Sequence, residues 1–178
     1  MGEPVPAPCR ERTIRRYAND RFHARESASL GSGGKRGEQK QAIGRSRGGR
    51  NTKIHALADA KGRLIAILLT GGEAHDCPIA ERLIDRVEPA ERMLGDKAYD
   101  SNELRDELDR RGTKPIIPNR SNRKRRFSFR KRLYKLRWRI ESAFNRLKDF
   151  RRIATRYDKR ARNYLASVCL AAALVWWI

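Results

Sequence analysis

Apolar positions along the 178-residue chain change their period several times, and each change marks an element. Residues 1–41 show no sustained period, are rich in Pro, Arg, Ser and Gly, and contain Gly31-Ser-Gly-Gly34, so coil is predicted there. From Thr52 to Ala58 apolar and polar residues alternate, Asp59-Ala-Lys-Gly62 reads as a turn, and Arg63 to Thr70 is a continuous apolar strand ended by Gly71-Gly72. A hairpin follows. Asp76 reads as an N-cap, with Pro78 in the first turn and Ile79, Leu83, Ile84 and Val87 on one helical face. Arg92-Met-Leu-Gly-Asp96 is a short buried strand delivering Asp96 to a sheet edge. Asp100 and Glu103 have capping-box spacing before a helix through Leu104 and Leu108, and Gly112 is placed to end it. Pro115 to Pro118 is an edge strand, and helices over about 129–150 and 159–177 complete an α/β domain.

The helix over 129–150 carries two stripes. Leu133, Leu136, Ile140, Phe144 and Leu147 form the face expected to dock on a core. Tyr134, Arg137, Glu141 and Lys148 fall within roughly 60° of one another beside it. A lone carboxylate thus sits among cations, at a border where a cleft can form.

Charge sharpens this picture. Forty-two Lys and Arg against 21 Asp and Glu give +21 and a pI near 11.0, which calls for a polyanionic partner. The excess is local: residues 120–163 hold 19 basic and 3 acidic side chains, whereas 51–119 hold 11 and 13. Arg120, Arg123, Lys124, Arg125, Arg126, Arg130 and Lys131, with Arg151 and Arg152 beyond the helix, are the candidate contacts to double-stranded DNA. Cys9, Cys77 and Cys169 are odd in number and widely separated, which argues against a disulfide framework or a zinc site and fits a reducing cytoplasm, associated with the nucleoid. His23, His55 and His75 have no ligand spacing. No apolar leader is visible, and the 14-residue run Leu165–Ile178 is short of a membrane span, so it reads as a buried terminal helix or as a face left open by a partner.

Asp96 and Glu141 lie 45 residues apart and are the two carboxylates singled out by position. Each has a local reading: a turn or cap residue for Asp96, and an i,i+4 ion pair with Arg137 for Glu141. Together they suit phosphoryl transfer, in which carboxylates hold two Mg²⁺ ions about 3.5–4 Å apart. Arg137 and Lys148 would then grip phosphates and Tyr134 would stack on a base or bond to the backbone.

The spacing Tyr134, Arg137, Glu141, Lys148 resembles the YREK signature of bacterial insertion-sequence transposases of the DDE superfamily. Gly95-Asp96-Lys97-Ala98-Tyr99-Asp100 resembles the second-aspartate motif of the same group. Ala42 to Gly49 followed by Thr52-Lys-Ile-His55, then His75-Asp76, Pro118 to Arg123 and Arg151 to Asp158 are similar to the family typified by insertion sequence five. The resemblance covers about residues 41–178. It implies an RNase H-like mixed sheet flanked by helices, Mg²⁺ between Asp96 and Glu141 as catalytic and metal-binding residues, and cleavage and transfer of DNA strands at element ends.

The first aspartate implied by the family, on a strand before Thr52, has no counterpart, and Asp20 in Asn19-Asp-Arg-Phe-His23 has no apolar strand around it. Were residues 19–23 encoded AAT GAT CGA TTC CAC, the next frame would read Met-Ile-Asp-Ser-Thr. Residues 1–40 are therefore expected to be a disordered, out-of-frame segment and 41–178 the catalytic domain, incomplete at its first strand and without the family's N-terminal end-binding region. The nucleotides under Asn19–His23 decide this. Two function classes follow: a DNA transposase, inactive or partial, with an incomplete metal pair; or a non-catalytic basic protein that binds element ends or associates with an intact transposase or another copy. A structural-only role has no repeat or heptad behind it.

Overall fold

The alternation at 52–58 folds as it reads. The computed structural model describes residues 11–19, 41–46 and 49–178, and in it β3 (Gly49–Ala58) and β4 (Leu64–Gly71) pair antiparallel. Asp59 closes the hairpin: its Oδ1 accepts the backbone N–H groups of Lys61 and Arg63, each at 2.9 Å. Gly62 takes φ +82°, a conformation that a Cβ disfavours.

Four further strands, β1 (Glu11–Asn19), β2 (Gly44–Ser46), β5 (Arg92–Leu94) and β6 (Lys114–Ile116), complete a mixed sheet. Its long path runs β4-β3-β1-β5-β6, and β2 pairs with the first residues of β3. β1 is antiparallel to β3 and parallel to β5, which is parallel to β6. Helices α1 (Asp76–Ile84) and α2 (Asn102–Arg110) bury Ile79, Leu83, Leu104 and Leu108 with Leu57 and Met93. Short α3 (Lys131–Tyr134) leads to α4 (Trp138–Asp149), then short α5 (Arg151–Ala154) and α6 (Ala161–Trp176). Ile140, Phe144 and Leu147 of α4 and Val168 and Ala172 of α6 pack with Ile54, Ala56 and Ala58 of β3. Alternate residues of β3 thus feed two cores. A mixed sheet with helices on both faces is the architecture expected of an RNase H-like fold.

Residues 11–19 correct the coil reading of the N-terminal segment, because they occupy the middle of the sheet where a strand was expected to be missing. A gap between β3 and β5 exposes unpaired backbone groups on both sides, and an extended segment lacking proline can fill it whatever its side chains. Hydrophobic periodicity does not report that demand. The strand that results is polar: Arg12 is only 8% exposed, its register partner is Met93, and its Nε and Nη1 have no hydrogen-bond partner among the described residues. Asp20 and the rest of 20–40 lie outside the described residues.

Two cap assignments also change. His75 is the N-cap of α1, and Asp76, inside the helix, is buried against Lys53 at 3.5 Å. Ser101 caps α2 by accepting the Leu104 N–H at 3.1 Å, which leaves Asp100 outside the helix as a buried ion-pair centre. Gly112 ends α2 as read, at φ +69°, with Thr113 N–H bonded to Leu108 O at 2.8 Å. The terminal helix divides between its two readings: α6 buries Tyr164, Val168, Ala171 and Ala172 but leaves Leu170, Leu174 and Trp177 exposed.

The two ends of the described domain are tied by Arg156, 2% exposed. It donates to Ala42 O at 3.0 Å, Gln41 O at 2.8 Å and Asp158 O at 3.0 Å, and also to Thr52 Oγ1, while its guanidinium covers the Tyr164 ring at 4.9 Å. Burial lowers its pKa, the Tyr164 and Asp158 charges opposing this. Nearby, Arg152 donates two hydrogen bonds to Asp158, at 3.1 and 2.9 Å, and holds that carboxyl below its usual range.

Arg12→Met is expected to stabilise the fold by about 1–3 kcal/mol in urea denaturation, by removing a buried donor group without acceptors; a destabilised variant would show that the guanidinium is satisfied. Because the folded pKa of Asp158 is depressed, its contribution is present above the unfolded value and lost as pH falls through the folded one. Asp158→Asn should therefore lower stability at about pH 7, with a deficit that shrinks as pH falls below the ordinary carboxylate range, read from urea denaturation across pH.

Candidate nucleic-acid interface and acidic pair

The stripe read from sequence is assembled in space by a change of helix type. The expected continuous helix over 129–150 is interrupted: α3 is followed by a 3-10 turn at Lys135–Arg137 before α4 begins. Three residues per turn eclipse positions i and i+3, so Arg137 comes over the Tyr134 ring, 5.2 Å from its centroid. From there α-helical spacing takes over, and Arg137 Nη2 meets Glu141 Oε1 at 2.7 Å. Phe129 packs against Tyr134 edge to face, with centroids 5.8 Å apart. Lys148 is exposed two turns further along the same helix. The hairpin turn sets the start of α4: Arg139 donates to Ala60 O, and a Cβ at Gly62 would lie 3.1 Å from the Arg139 carbonyl oxygen.

Asp96 stands two residues beyond β5 rather than at the end of the strand. Its Oδ1 accepts the Ala98 N–H at 2.7 Å and caps a 3-10 turn, Lys97–Tyr99. Both local readings are therefore realised: Asp96 is a cap, and Glu141 is half of a partly exposed ion pair.

The basic tract divides into two groups. Arg120 donates to Lys97 O at 3.1 Å and Ala98 O at 2.7 Å, and its own N–H bonds Asp100 Oδ2 at 2.8 Å. Asp100, fully buried at its side chain, is also paired with Arg105 at 2.9 Å and Arg123 at 3.2 Å. Both of these guanidiniums cover the Phe127 ring at 4.6 Å. Arg120 and Arg123 thus fasten the tract to the loop after Asp96. Lys124, Arg125, Arg126, Arg130 and Lys131 are exposed. Arg151 and Arg152 are exposed too, the latter engaged with Asp158. Sequence reasoning passed over Trp138, 59% exposed beside Arg137, and Tyr157, 60% exposed after Arg156. Aromatics interleaved with cations were the available signal.

A cavity of about 350 Å³ adjoins the Asp96 loop, lined by Lys53, Glu73, His75, Asp76, Cys77, Ala98 and Arg120. Lys53, 8% exposed, donates to Ala74 O at 2.6 Å and faces Asp76. Cys77 Sγ donates to Ala98 O at 3.3 Å, and burial raises its pKa, the Ser101 hydrogen bond and the Arg120 charge opposing this. His55 is a core residue bonded to Thr70 Oγ1 at 2.8 Å.

The described carboxylates do not fit a pair of divalent metal ions. No group of three His, Cys, Asp or Glu side chains converges among the described residues, Glu141 is neutralised by Arg137, and Asp96 is engaged at a turn. Donor number is the shortfall.

Fold and surface define an α/β domain with a strongly cationic tract over residues 120–163, fastened through Arg120 to the loop after Asp96 and carrying the Arg137–Glu141 ion pair. The chain belongs to the transposase DDE domain family, whose model matches residues 22–176, opening within the segment read as out of frame. It is 36% identical over 129 residues to a protein of Brucella ovis described as a transposase for insertion sequence element IS6501, covering 70% of this chain and 97% of that one. It is 33% identical over 137 residues to one of Burkholderia cepacia described for element IS402, covering 71% of this chain and 63% of that protein. A solved piggyBac transposase complex with hairpin DNA aligns at 15% identity and TM-score 0.42, over 66% of this chain and 24% of that one.

Arg123→Ala should lower stability by about 1–3 kcal/mol, since it strips a partner from a buried carboxylate, whereas Lys124→Ala and Arg125→Ala should stay within about 0.5 kcal/mol. Chemical denaturation distinguishes the two groups, and equal effects would refute the division.

Proposed function

We propose that this transposase-family chain holds duplex DNA on the cationic surface from Lys124 to Lys148 and does not itself cut it. The observation that carries the reading is the pairing of Glu141 with Arg137 beneath Tyr134, in a chain with +16 over residues 120–163. A phosphate arriving at Arg137 competes with Glu141 for the same guanidinium, so the carboxylate weakens binding instead of holding metal. Lys148, two turns away, and the exposed cations of 124–131 supply further phosphate contacts, and Trp138 and Tyr134 offer flat faces for stacking. Divalent metal, where the family uses it, would supply nucleophile activation and charge neutralisation; the described donors are too few to hold it.

Glu141→Gln should tighten duplex binding by about 0.5–1 kcal/mol, the worth of an exposed ion pair, in fluorescence anisotropy at fixed salt. Neutralising Lys124, Arg125 and Arg126 should reduce the slope of log K against log salt by about 0.9 per lost phosphate contact. No Mg²⁺-dependent strand cleavage is expected. Cleavage that disappears in both Asp96→Asn and Glu141→Gln would overturn the proposal.

A further inference from the structure

Residues 119–127, at the head of the basic tract, form a closed arch. One side chain joins its ends: Asn119 Nδ2 donates to Phe127 O at 2.8 Å, and Asn119 Oδ1 accepts the Phe127 N–H at 2.9 Å. A carboxamide donates and accepts at once from adjoining atoms, which neither a carboxylate nor an alkyl side chain does. The clasp therefore depends on the residue type. Ends held together in this way are characteristic of surface loops that keep a fixed shape.

Within the arch Arg123 acts as a pillar. Its Nε donates to Arg125 O at 3.0 Å, its Nη1 lies 3.2 Å from Asp100 Oδ1, and its Nη2 donates to Asn102 Oδ1. All three guanidinium nitrogens are thus engaged by the fold. The Arg123 N–H also closes a turn to Arg120 O at 3.1 Å. Lys124, Arg125 and Arg126 are exposed on the same arch and have no carboxylate partner among the described residues. Packing does not hold the loop in place. A hollow of about 590 Å³ lies between it and α2, lined by Asn102 and Asp106 on the helix and by Arg123, Lys124, Arg125 and Phe127 on the loop, so one apolar side chain faces it. Hydrogen bonds set the shape instead, and those of Asn119 close it.

We propose that Asn119 is a positioning residue for nucleic-acid binding: it holds residues 120–126 as a preformed arch that presents Lys124, Arg125 and Arg126 together to the phosphate backbone of duplex DNA. Three adjacent cations on a slack loop repel one another and must be ordered when a polyanion arrives. The clasp meets that ordering cost during folding, so less of the contact energy is lost on binding. This inference rests on the reading of the chain as a holder of duplex DNA.

Hydrogen–deuterium exchange on the full chain without DNA reads the clasp directly. Asn119→Ala should speed exchange in peptides covering 120–127 by about tenfold, with those covering β3 and α4 unchanged. Asn119→Asp keeps the accepting bond and loses the donating one, so its exchange should fall between the two; it carries the test if the alanine variant does not fold. In fluorescence anisotropy with duplex DNA, Asn119→Ala should weaken binding about tenfold and leave the slope of log K against log salt unchanged, because no charge is lost. Alanine at Lys124, Arg125 and Arg126 together should lower that slope. Unchanged exchange in both Asn119 variants, faster exchange with wild-type affinity, or a full slope in the triple variant overturns the proposal while leaving DNA binding in place. A wild-type chain that does not bind duplex DNA overturns both.

Discussion

The Arg156 guanidinium is the interaction on which the rest of the domain depends. It joins the carbonyls of Gln41 and Ala42, the hydroxyl of Thr52 and the carbonyl of Asp158, and covers the Tyr164 ring. Those partners come from the segment before β2, from β3, and from the connection into α6. Ala42, held there, adopts φ +52°, which a residue with a Cβ avoids unless its surroundings over-determine it. Thr52 contributes by donating its own hydroxyl to Ala42 O at 2.6 Å. Tyr164 completes the knot with a bond from its hydroxyl to Ile153 O at 2.9 Å. The register of β3, and hence the two cores that its alternating side chains feed, is fixed at this point.

A second constraint is electrostatic. In a chain with twice as many cations as anions, buried carboxylates are claimed by arginines before any ligand arrives. Asp100 organises Arg105, Arg123 and the Arg120 N–H, and Asp158 takes Arg152. Glu141 takes Arg137. Each pairing has a structural consequence: the first fastens the basic tract to the Asp96 loop, the second borders the Arg156 knot, and the third holds Arg137, whose guanidinium lies over the Tyr134 ring. Membership of the transposase DDE domain family agrees with the motif spacing, but in this chain the motif residues also serve the fold.

Legibility varied with the kind of signal. The hairpin over 52–70 was plain because alternation, an Asp–Gly turn and a charge-free run agree on it. The docking stripe Ile140, Phe144 and Leu147 was plain for the same reason, whereas Leu133, before the 3-10 turn, and Leu136, within it, are only partly buried because that turn breaks the helical stripe. Caps were misread by one residue at Asp76 and Asp100, since Asp, Ser and His beside a helix start are locally interchangeable. The partners of Lys53, Arg120 and Arg123 were not legible, because the carbonyls and carboxylates that hold them are 20 to 23 residues away in sequence.

What the sequence determined by itself was periodic or additive: the helical and extended segments, the concentration of charge over 120–163, and the spacing of Tyr134, Arg137, Glu141 and Lys148. Those properties follow from neighbours along the chain. The tertiary structure decided two others: which strand fills the centre of the sheet, and which cations are held by carbonyls and carboxylates of the fold. A polar segment became the central strand β1 because β3 and β5 present backbone groups that must be paired. Side-chain pattern carries no record of that requirement, so only the assembled sheet reveals it.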